Sequence, residues 1–226
     1  MKIAILFSGG KDSTLTVLKA LENNYETILV TFIPKNQYSY LFHTSCLEFP
    51  RIQAKLLNLE IEEIEISGEK EKEINEVLNA LTYLKKEKNI EAIGSGVIKS
   101  EYQKKKIEEI AKKLNLKTFF PLWNRDCESH WKELFDKKFK IIISKISTYG
   151  LSTNLLGKVI DEKIFEEIKK ESLKYGFDLC FEGGEAETLV LDCQVFSHEI
   201  IIEDFEIERD VNSYILKIKK FRLKRK

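Results

Sequence analysis

The chain has 226 residues, of which 43% are apolar, and its 37 basic residues balance 37 acidic ones. This length suits one large domain or two small ones, and the apolar content excludes a disordered chain. The balanced charge favours neither nucleic acid nor a membrane surface as a partner. No apolar run approaches the roughly 18–20 residues of a membrane span, and the chain opens directly on a predicted strand, without a targeting segment. We therefore expect a cytoplasmic protein.

The cysteines and histidines show no metal-binding pattern. The four cysteines, Cys46, Cys127, Cys180 and Cys193, are far apart and form no C-x-x-C pair. Because the chain shows no signal peptide, we expect all four to be reduced. The three histidines have no ligand spacing, so a zinc site is not expected.

The first half of the chain alternates predicted strands and helices. In chain order these are strand Lys2–Phe7, helix Thr14–Asn23, strand Glu26–Phe32, helix Pro50–Leu59, strand Ile61–Ile66, helix Lys70–Lys88, strand Ala92–Ile93, a helix opened by Ser100, and strand Thr118–Leu122. Repeated βα units of this length predict a parallel sheet with helices on both faces.

The pattern changes after a predicted linker at residues 124–126. The later elements are a helix near Ser129–Phe135, strand Lys140–Ile146, a helix near Asp161–Tyr175, and strands Thr188–Cys193, Glu199–Glu208 and Ser213–Leu223. We therefore predict an α/β domain over residues 1–125 and a smaller α+β, substrate-binding domain over residues 126–226.

The segment Ser8–Ser13 lies between a buried strand and a helix, the context in which a glycine-rich loop is informative. Its two glycines let backbone N–H groups approach phosphate oxygens, and the helix N-terminus adds a partial positive charge. Lys11 offers a mobile cation, the serines offer hydroxyl donors, and the Asp12 carboxylate suits Mg²⁺. The predicted phosphate-binding residues are Ser8, Gly9, Gly10, Lys11, Asp12 and Ser13, with Asp12 also the predicted metal ligand.

This loop is neither a Walker A sequence nor G-x-G-x-x-G. It resembles the SGGxDS signature of the PP-loop ATP pyrophosphatases, which have an adenine nucleotide alpha hydrolase-like fold. The resemblance implies that an acceptor oxygen attacks the α-phosphorus of ATP, so that AMP and pyrophosphate are released. The alternative is a simple Ser/Gly turn that leads into a helix.

Two more predicted turns stand at carboxyl ends of strands, where a parallel sheet binds its ligand. They are the turn at Thr31 and Phe32 and the turn at residues 94–98. We expect Phe32 and Gly96 to frame the adenosine. A packing role for Gly94 and Gly96 is the alternative.

A second unusual segment, Glu182–Glu185, places two carboxylates around a glycine pair. Such a pair can hold an ammonium ion and then take its proton when the amine attacks. The alternative is a polar turn with solvated acids.

Four segments together carry a more specific resemblance. They are Phe42-His43-Thr44, Ser100-Glu101-Tyr102-Gln103, Pro121-Leu122-Trp123 and Glu182-Gly183-Gly184-Glu185-Ala186-Glu187-Thr188. With the phosphate loop, and in this order, they resemble the diphthine–ammonia ligase family from Met1 to about Phe196. Phe181 stands where the family often has glycine, and Gln194 where it often has proline.

The resemblance implies that diphthine on translation elongation factor 2 is amidated with ATP, Mg²⁺ and ammonia. Lys11, Asp12, Glu182 and Glu185 would then be catalytic. The middle motif adds Ser100, Tyr102 and Gln103 as cofactor-binding residues, although Ser100 and Gln103 also have the spacing of a helix capping box. His43 is a further candidate.

Two other functions remain open on the sequence. One is a PP-loop enzyme that modifies tRNA by thiolation or lysine ligation. Thiolation would need a persulfide cysteine or an iron–sulfur cluster, which isolated cysteines do not favour. The basic tail is also short for a tRNA platform. A nucleotide-sensing module would have no evident use for Glu182 and Glu185.

Overall fold

A computed structural model describes residues 1–35, 46 and 48–226, apart from the side chains of residues 70 and 71. The chain divides into two units. The first unit comprises Met1–Ser8 and Asp12–Trp123, and the second comprises Gly9–Lys11 and Asn124–Lys226. The second unit therefore includes three residues of the predicted phosphate loop.

The first unit is built on a parallel sheet, as predicted. Its strands are β1 (Lys2–Leu6), β2 (Glu26–Pro34), β3 (Glu60–Ile66), β4 (Ala92–Gly94) and β5 (Lys117–Phe119), in the order β3-β2-β1-β4-β5. Every neighbouring pair is parallel. The central strand β1 is a run of apolar residues because a parallel sheet is covered on both faces.

Four helices of the first unit have amphipathic sequences. They are α1 (Lys11–Glu22), α2 (Phe49–Leu57), α3 (Lys70–Lys88) and α4 (Glu101–Lys113). Apolar residues of α3 and α4, such as Leu81, Leu84 and Ile110, form one buried cluster with Ala4 and Ile28 of the sheet. The helix α3 has the predicted bounds, whereas α1 begins three residues before the predicted Thr14.

The predicted turn at Thr31 and Phe32 is wrong. Both residues lie inside β2, which pairs with β3 as far as Pro34 opposite Ile66. The strand β1 ends at Leu6, opposite Val30, so Pro34 has a strand neighbour on one side only and its missing N–H is tolerated.

The predicted fifth strand, Thr118–Leu122, extends beyond the strand in the structure. The strand β5 ends at Phe119, and a turn follows in which Trp123 N–H donates to Phe120 O at 3.2 Å. Pro121 explains this end, because proline has no N–H to donate to a strand neighbour.

The second unit is of the α+β class, as predicted. Its helices are α5 (Cys127–Asp136) and α6 (Glu162–Tyr175), with a short 3₁₀ turn at Thr153–Leu155. Its strands are β6 (Lys140–Ile146), β7 (Ala186–Asp192), β8 (His198–Arg209) and β9 (Tyr214–Arg225), which form an antiparallel sheet in the order β7-β6-β9-β8. Asp126 and Asp161 cap the two helices through their carboxylates.

The cysteines differ from the prediction that all four are reduced. Cys127, at the start of α5, forms a disulfide with Cys180, and their Cα atoms are 5.4 Å apart. The two are separated by 53 residues in the sequence, so only the tertiary fold reveals the pair. Cys46 and Cys193 are thiols outside this disulfide.

Among residues 1–35, 46 and 48–226, no helix has the length and the apolar content needed to cross a bilayer.

Candidate functional site

The phosphate loop follows β1, the strand at which the sheet order reverses. From β1 the chain adds β2 and β3 on one side and later β4 and β5 on the other. The residues after β1 and those after β4, including Gly96, therefore flank the topological switch point. An open parallel sheet binds its ligand at such a point, beyond the carboxyl ends of its strands.

Contacts within the first unit shape the two ends of the loop. Ser8 N–H donates to Ser13 Oγ at 3.3 Å, and the two hydroxyl oxygens are 3.2 Å apart. Ser13 is buried and Ser8 is half-buried. The two predicted hydroxyl donors therefore lie side by side across the loop.

Gly96 is brought against this loop. A Cβ at Gly96 would lie 2.6 Å from the carbonyl carbon of Asp12 and 2.8 Å from Ser13 N. Any other residue would push the start of α1 away, so glycine is required here by a close backbone approach. This observation supports a packing role, and the predicted contact of Gly96 with adenosine stays a prediction.

The middle of the loop contacts β7 in the second unit. Val190 N–H donates to Gly9 O at 3.0 Å, and Lys11 N–H donates to Thr188 Oγ1 at 3.1 Å. Gly9 has a φ of +78°, a left-handed conformation that glycine adopts without penalty. Thr188 belongs to the quoted motif, but its partner is 177 residues away and no local pattern reveals the contact.

The Lys11 side chain is buried in the second unit, with 2% of its surface exposed. Its ammonium donates to the carbonyl oxygen of Cys180 at 2.7 Å. It also lies 5.8 Å from the ring centroid of Trp131 and 5.5 Å from that of Phe181. These contacts give the charge a carbonyl acceptor and two aromatic faces. The expected role of Lys11 as a mobile cation for phosphates stays a prediction.

The Glu182–Glu185 segment is a turn, and the Glu185 carboxylate accepts hydrogen bonds from backbone N–H groups within it and just before it. One carboxylate oxygen of Glu185 accepts Asp178 N–H at 3.1 Å, and the other accepts Gly183 N–H at 2.9 Å. The Asp178 carboxylate accepts Glu182 N–H at 3.2 Å. Asp178, which the sequence reasoning missed, therefore helps to order this segment, here called the acidic turn (residues 178–185).

Phe181 precedes the acidic pair with a φ of +65°, a conformation that favours glycine. Its ring is buried at 6% exposure and meets Trp131 edge-on, with centroids 6.1 Å apart. Aromatic burial offsets the backbone cost of a side chain here. This explains how phenylalanine occupies a position that is often glycine in the family that the sequence resembles.

In the segment Ser100–Gln103, Ser100 caps the helix α4. Ser100 Oγ accepts Gln103 N–H at 3.4 Å at the start of α4. Tyr102 is 46% exposed, and the Lys106 ammonium lies 5.9 Å from its ring centroid. Binding roles for Ser100, Tyr102 and Gln103 stay predictions.

Phe32, by contrast, has its ring in the buried core at 3% exposure, which does not support an adenine contact by that ring. His43 lies outside the described residues.

One group of potential metal ligands occurs in the described part of the chain. Cys127, Asp178 and Cys180 have ligand atoms within 4.8 Å of one another. The two sulfurs are joined to each other in the disulfide, and a carboxylate oxygen of Asp178 is 3.7 Å from Cys127 Sγ. The sequence spacing of these residues gave no signal of this group.

Family models match both halves of the chain. The diphthamide synthase N-terminal domain matches residues 1–118, and the diphthamide synthase C-terminal domain matches residues 126–223. The chain belongs to the diphthamide synthase family. Membership makes this diphthamide synthase family protein an enzyme of the ligase class.

Its relatives include curated enzymes of animals and yeasts. The diphthine–ammonia ligases of Bos taurus and Homo sapiens are each 29% identical over 229 residues, which cover 92% of this chain and 85% of the relative. That of Schizosaccharomyces pombe is 29% identical over 92% of this chain and 37% of the relative.

Among solved structures, a predicted subunit of tRNA methyltransferase from Methanocaldococcus jannaschii aligns over 86% of this chain and 98% of that chain. Its TM-score of 0.45 and identity of 16% are too low to bear on function.

The loop of this diphthamide synthase family protein has features that are compatible with the predicted binding of phosphate. It leads into α1, a 12-residue helix whose dipole adds a partial positive charge at this end. Gly9 supplies the left-handed backbone, and Gly96 lets β4 and α1 approach. Asp12 is half-buried, and its carboxylate is a hard oxygen donor of the kind that magnesium prefers. Its role as a metal ligand stays a prediction.

Proposed function

We propose that this chain is a diphthine–ammonia ligase that amidates diphthine on translation elongation factor 2, with ATP and ammonia as co-substrates. One observation carries the proposal. Both diphthamide synthase domain models match the chain, and the Ser8–Ser13 loop, which matches the SGGxDS signature, lies at the switch point of the sheet. The curated relatives that it resembles bear the name of this activity.

The proposed reaction has two steps. A carboxylate oxygen of diphthine attacks the α-phosphorus of ATP, the bond from that phosphorus to the bridging oxygen breaks, and pyrophosphate leaves. Ammonia then attacks the acyl carbon and loses a proton, and the bond to AMP breaks. The products are the amide, AMP and pyrophosphate. Because water would hydrolyse the acyl-adenylate, the reaction needs a site from which water is excluded.

The loop residues would hold the nucleotide. The hydroxyls of Ser8 and Ser13, which lie 3.2 Å apart, and the loop amides around Gly9 and Gly10 suit phosphate oxygens. Asp12 would hold Mg²⁺, which neutralises charge that develops on the leaving pyrophosphate. Lys11 would raise the positive potential of the loop from its place beside Cys180.

The acidic turn would handle the amine. Glu182 is half-buried, and its backbone N–H donates to the Asp178 carboxylate. We assign its own carboxylate the role of accepting a proton from the attacking ammonia. Glu185 orders the turn through two backbone N–H groups. Ser100, Tyr102 and Gln103, at the start of α4, are proposed to contact ATP.

The test uses elongation factor 2 that carries diphthine, mixed with this protein, Mg-ATP and ammonium. Mass spectrometry of the modified peptide should show a product about 1 Da lighter, because an amide replaces an acid. Elongation factor that lacks the modification should be inert, since no side-chain carboxylate is present to activate. If the peptide stays an acid while tRNA or a free acid drives AMP release, the proposed substrate is wrong.

A further inference from the structure

The strand β7 is an edge strand that binds the phosphate loop. In its own sheet β7 has β6 as its neighbour. On the loop side, Val190 N–H donates to Gly9 O at 3.0 Å. An edge strand presents backbone groups that take up another segment of chain, and here that segment is Gly9–Lys11.

Thr188 caps the first N–H group of the helix α1. Lys11 is the first residue of α1, and the first N–H groups of a helix have no partner within it. A capping side chain usually comes from the residue before the helix. That residue is Gly10, which has no side chain, and Thr188 Oγ1 accepts the Lys11 N–H at 3.1 Å instead.

These contacts also orient the peptide between the two loop glycines. The peptide plane is trans, so its C=O and N–H groups point in opposite directions. Because Gly9 O points to β7, Gly10 N–H points away from it. Lys11 is held at its other end by Cys180 O. Hydrogen bonds at Gly9 O, Lys11 N and Lys11 Nζ therefore join this segment to the rest of the second unit.

We propose that Thr188 is a positioning residue for ATP, which acts through the Lys11 amide and sets the shape of the phosphate loop before the nucleotide arrives. The inference rests on the proposed function, since ATP is the ligand. A loop that is ordered in advance loses less conformational freedom on binding and so binds more tightly. Thr188 is half-buried and is not required to touch ATP in this role.

The test compares Thr188→Val, which keeps the shape and removes the hydroxyl, with Thr188→Ser, which keeps the hydroxyl. We expect calorimetry to show ATP bound about tenfold more weakly by Thr188→Val, and within about twofold of the unsubstituted chain by Thr188→Ser. The KM for ATP should rise with little change in kcat. Thr148→Val is the matched control, because the Thr148 hydroxyl donates to the adjacent Tyr149 O at 3.3 Å and the residue is half-buried in the same unit, as Thr188 is.

Two results would overturn the proposal. One is ATP affinity of Thr188→Val equal to that of the unsubstituted chain. The other needs no variant: in hydrogen exchange without ATP, the Lys11 amide should exchange slowly, and exchange at the rate of an open loop contradicts the bond to Thr188. The second measurement decides the matter even if Thr188→Val does not fold. Failure of the unsubstituted chain to bind ATP would instead remove the proposed function.

Discussion

The ammonium group of Lys11 donates a 2.7 Å hydrogen bond to the carbonyl oxygen of Cys180, 169 residues further along the chain. Cys180 is itself bonded to Cys127 at the start of α5. The loop lysine, the acidic turn and α5 are therefore connected within the second unit. Lys11 thus has a structural partner in addition to any role towards phosphates.

Replacing Lys11 by methionine separates these two roles. Lys11→Met keeps most of the side-chain volume but leaves Cys180 O without this donor. Because a hydrogen bond from a charged group contributes about 1.5–3 kcal/mol, we expect the free energy of unfolding without ATP to fall by that order. Chemical denaturation measures it. An unchanged free energy of unfolding with abolished ATP binding would favour the phosphate role alone.

Removing the disulfide should destabilise the second unit. The bridge closes a loop of 53 residues in sequence separation. The chain-entropy model then gives a loss of about 4 kcal/mol in the free energy of unfolding when the bridge is reduced or when Cys127→Ser is introduced. Cys46→Ser, at a cysteine outside the bridge, is the control and should unfold like the unsubstituted chain. Equal midpoints with and without reductant would show that the bridge contributes nothing.

The two thiols outside the disulfide, Cys46 and Cys193, should differ in reactivity. Burial raises the pKa of Cys193 to about 11, and the thiolate is the reactive form. At pH 8 only about 0.1% of this thiol is ionised, and the fraction rises as the pH approaches 11. Alkylation of the native, unreduced protein at pH 8 should therefore modify Cys46 and spare Cys193. Peptide mass spectrometry that finds Cys193 alkylated as fast as Cys46 would contradict its burial.

Local patterns predicted the fold well and the long-range contacts poorly. Apolar periodicity gave the bounds of α3 and the parallel sheet, because those signals repeat over neighbouring residues. The end of β2 was missed because proline usually ends a strand, yet Pro34 has one strand neighbour there. The bridge from Cys127 to Cys180 and the bond from Lys11 to Thr188 join residues far apart in sequence, which no spacing rule can reveal.

Asp12 should be essential to turnover. If its carboxylate holds Mg²⁺, Asp12→Ala removes charge stabilisation of several kcal/mol, and kcat should fall at least ~10²-fold. Chromatography of the unsubstituted reaction should show AMP and pyrophosphate in equal amounts. ADP and phosphate as the main products would remove the PP-loop mechanism, and near-normal turnover of Asp12→Ala would remove Asp12 from it.

The acidic turn gives different expectations for its two glutamates. Both carboxylate oxygens of Glu185 accept backbone N–H groups, from Asp178 and Gly183. In Glu185→Gln one oxygen becomes an NH₂ donor that faces a donor, so the turn should lose order and its amides should exchange faster. The bond from Glu182 to Asp178 uses the backbone N–H of Glu182, so Glu182→Gln keeps it, and this amide should exchange as in the unsubstituted chain.

Enzyme kinetics complete this comparison. If Glu182 takes the proton of ammonia, Glu182→Gln should lower kcat by ~10²-fold or more, because general base catalysis contributes on that scale. Its affinity for ATP should stay near that of the unsubstituted chain, since the phosphate loop is unaltered. Glu185→Gln should combine slower turnover with faster exchange over residues 178–185. If Glu182→Gln is fully active while Glu185→Gln is inactive with a well-ordered turn, the proton acceptor is Glu185 and the proposed roles must be exchanged.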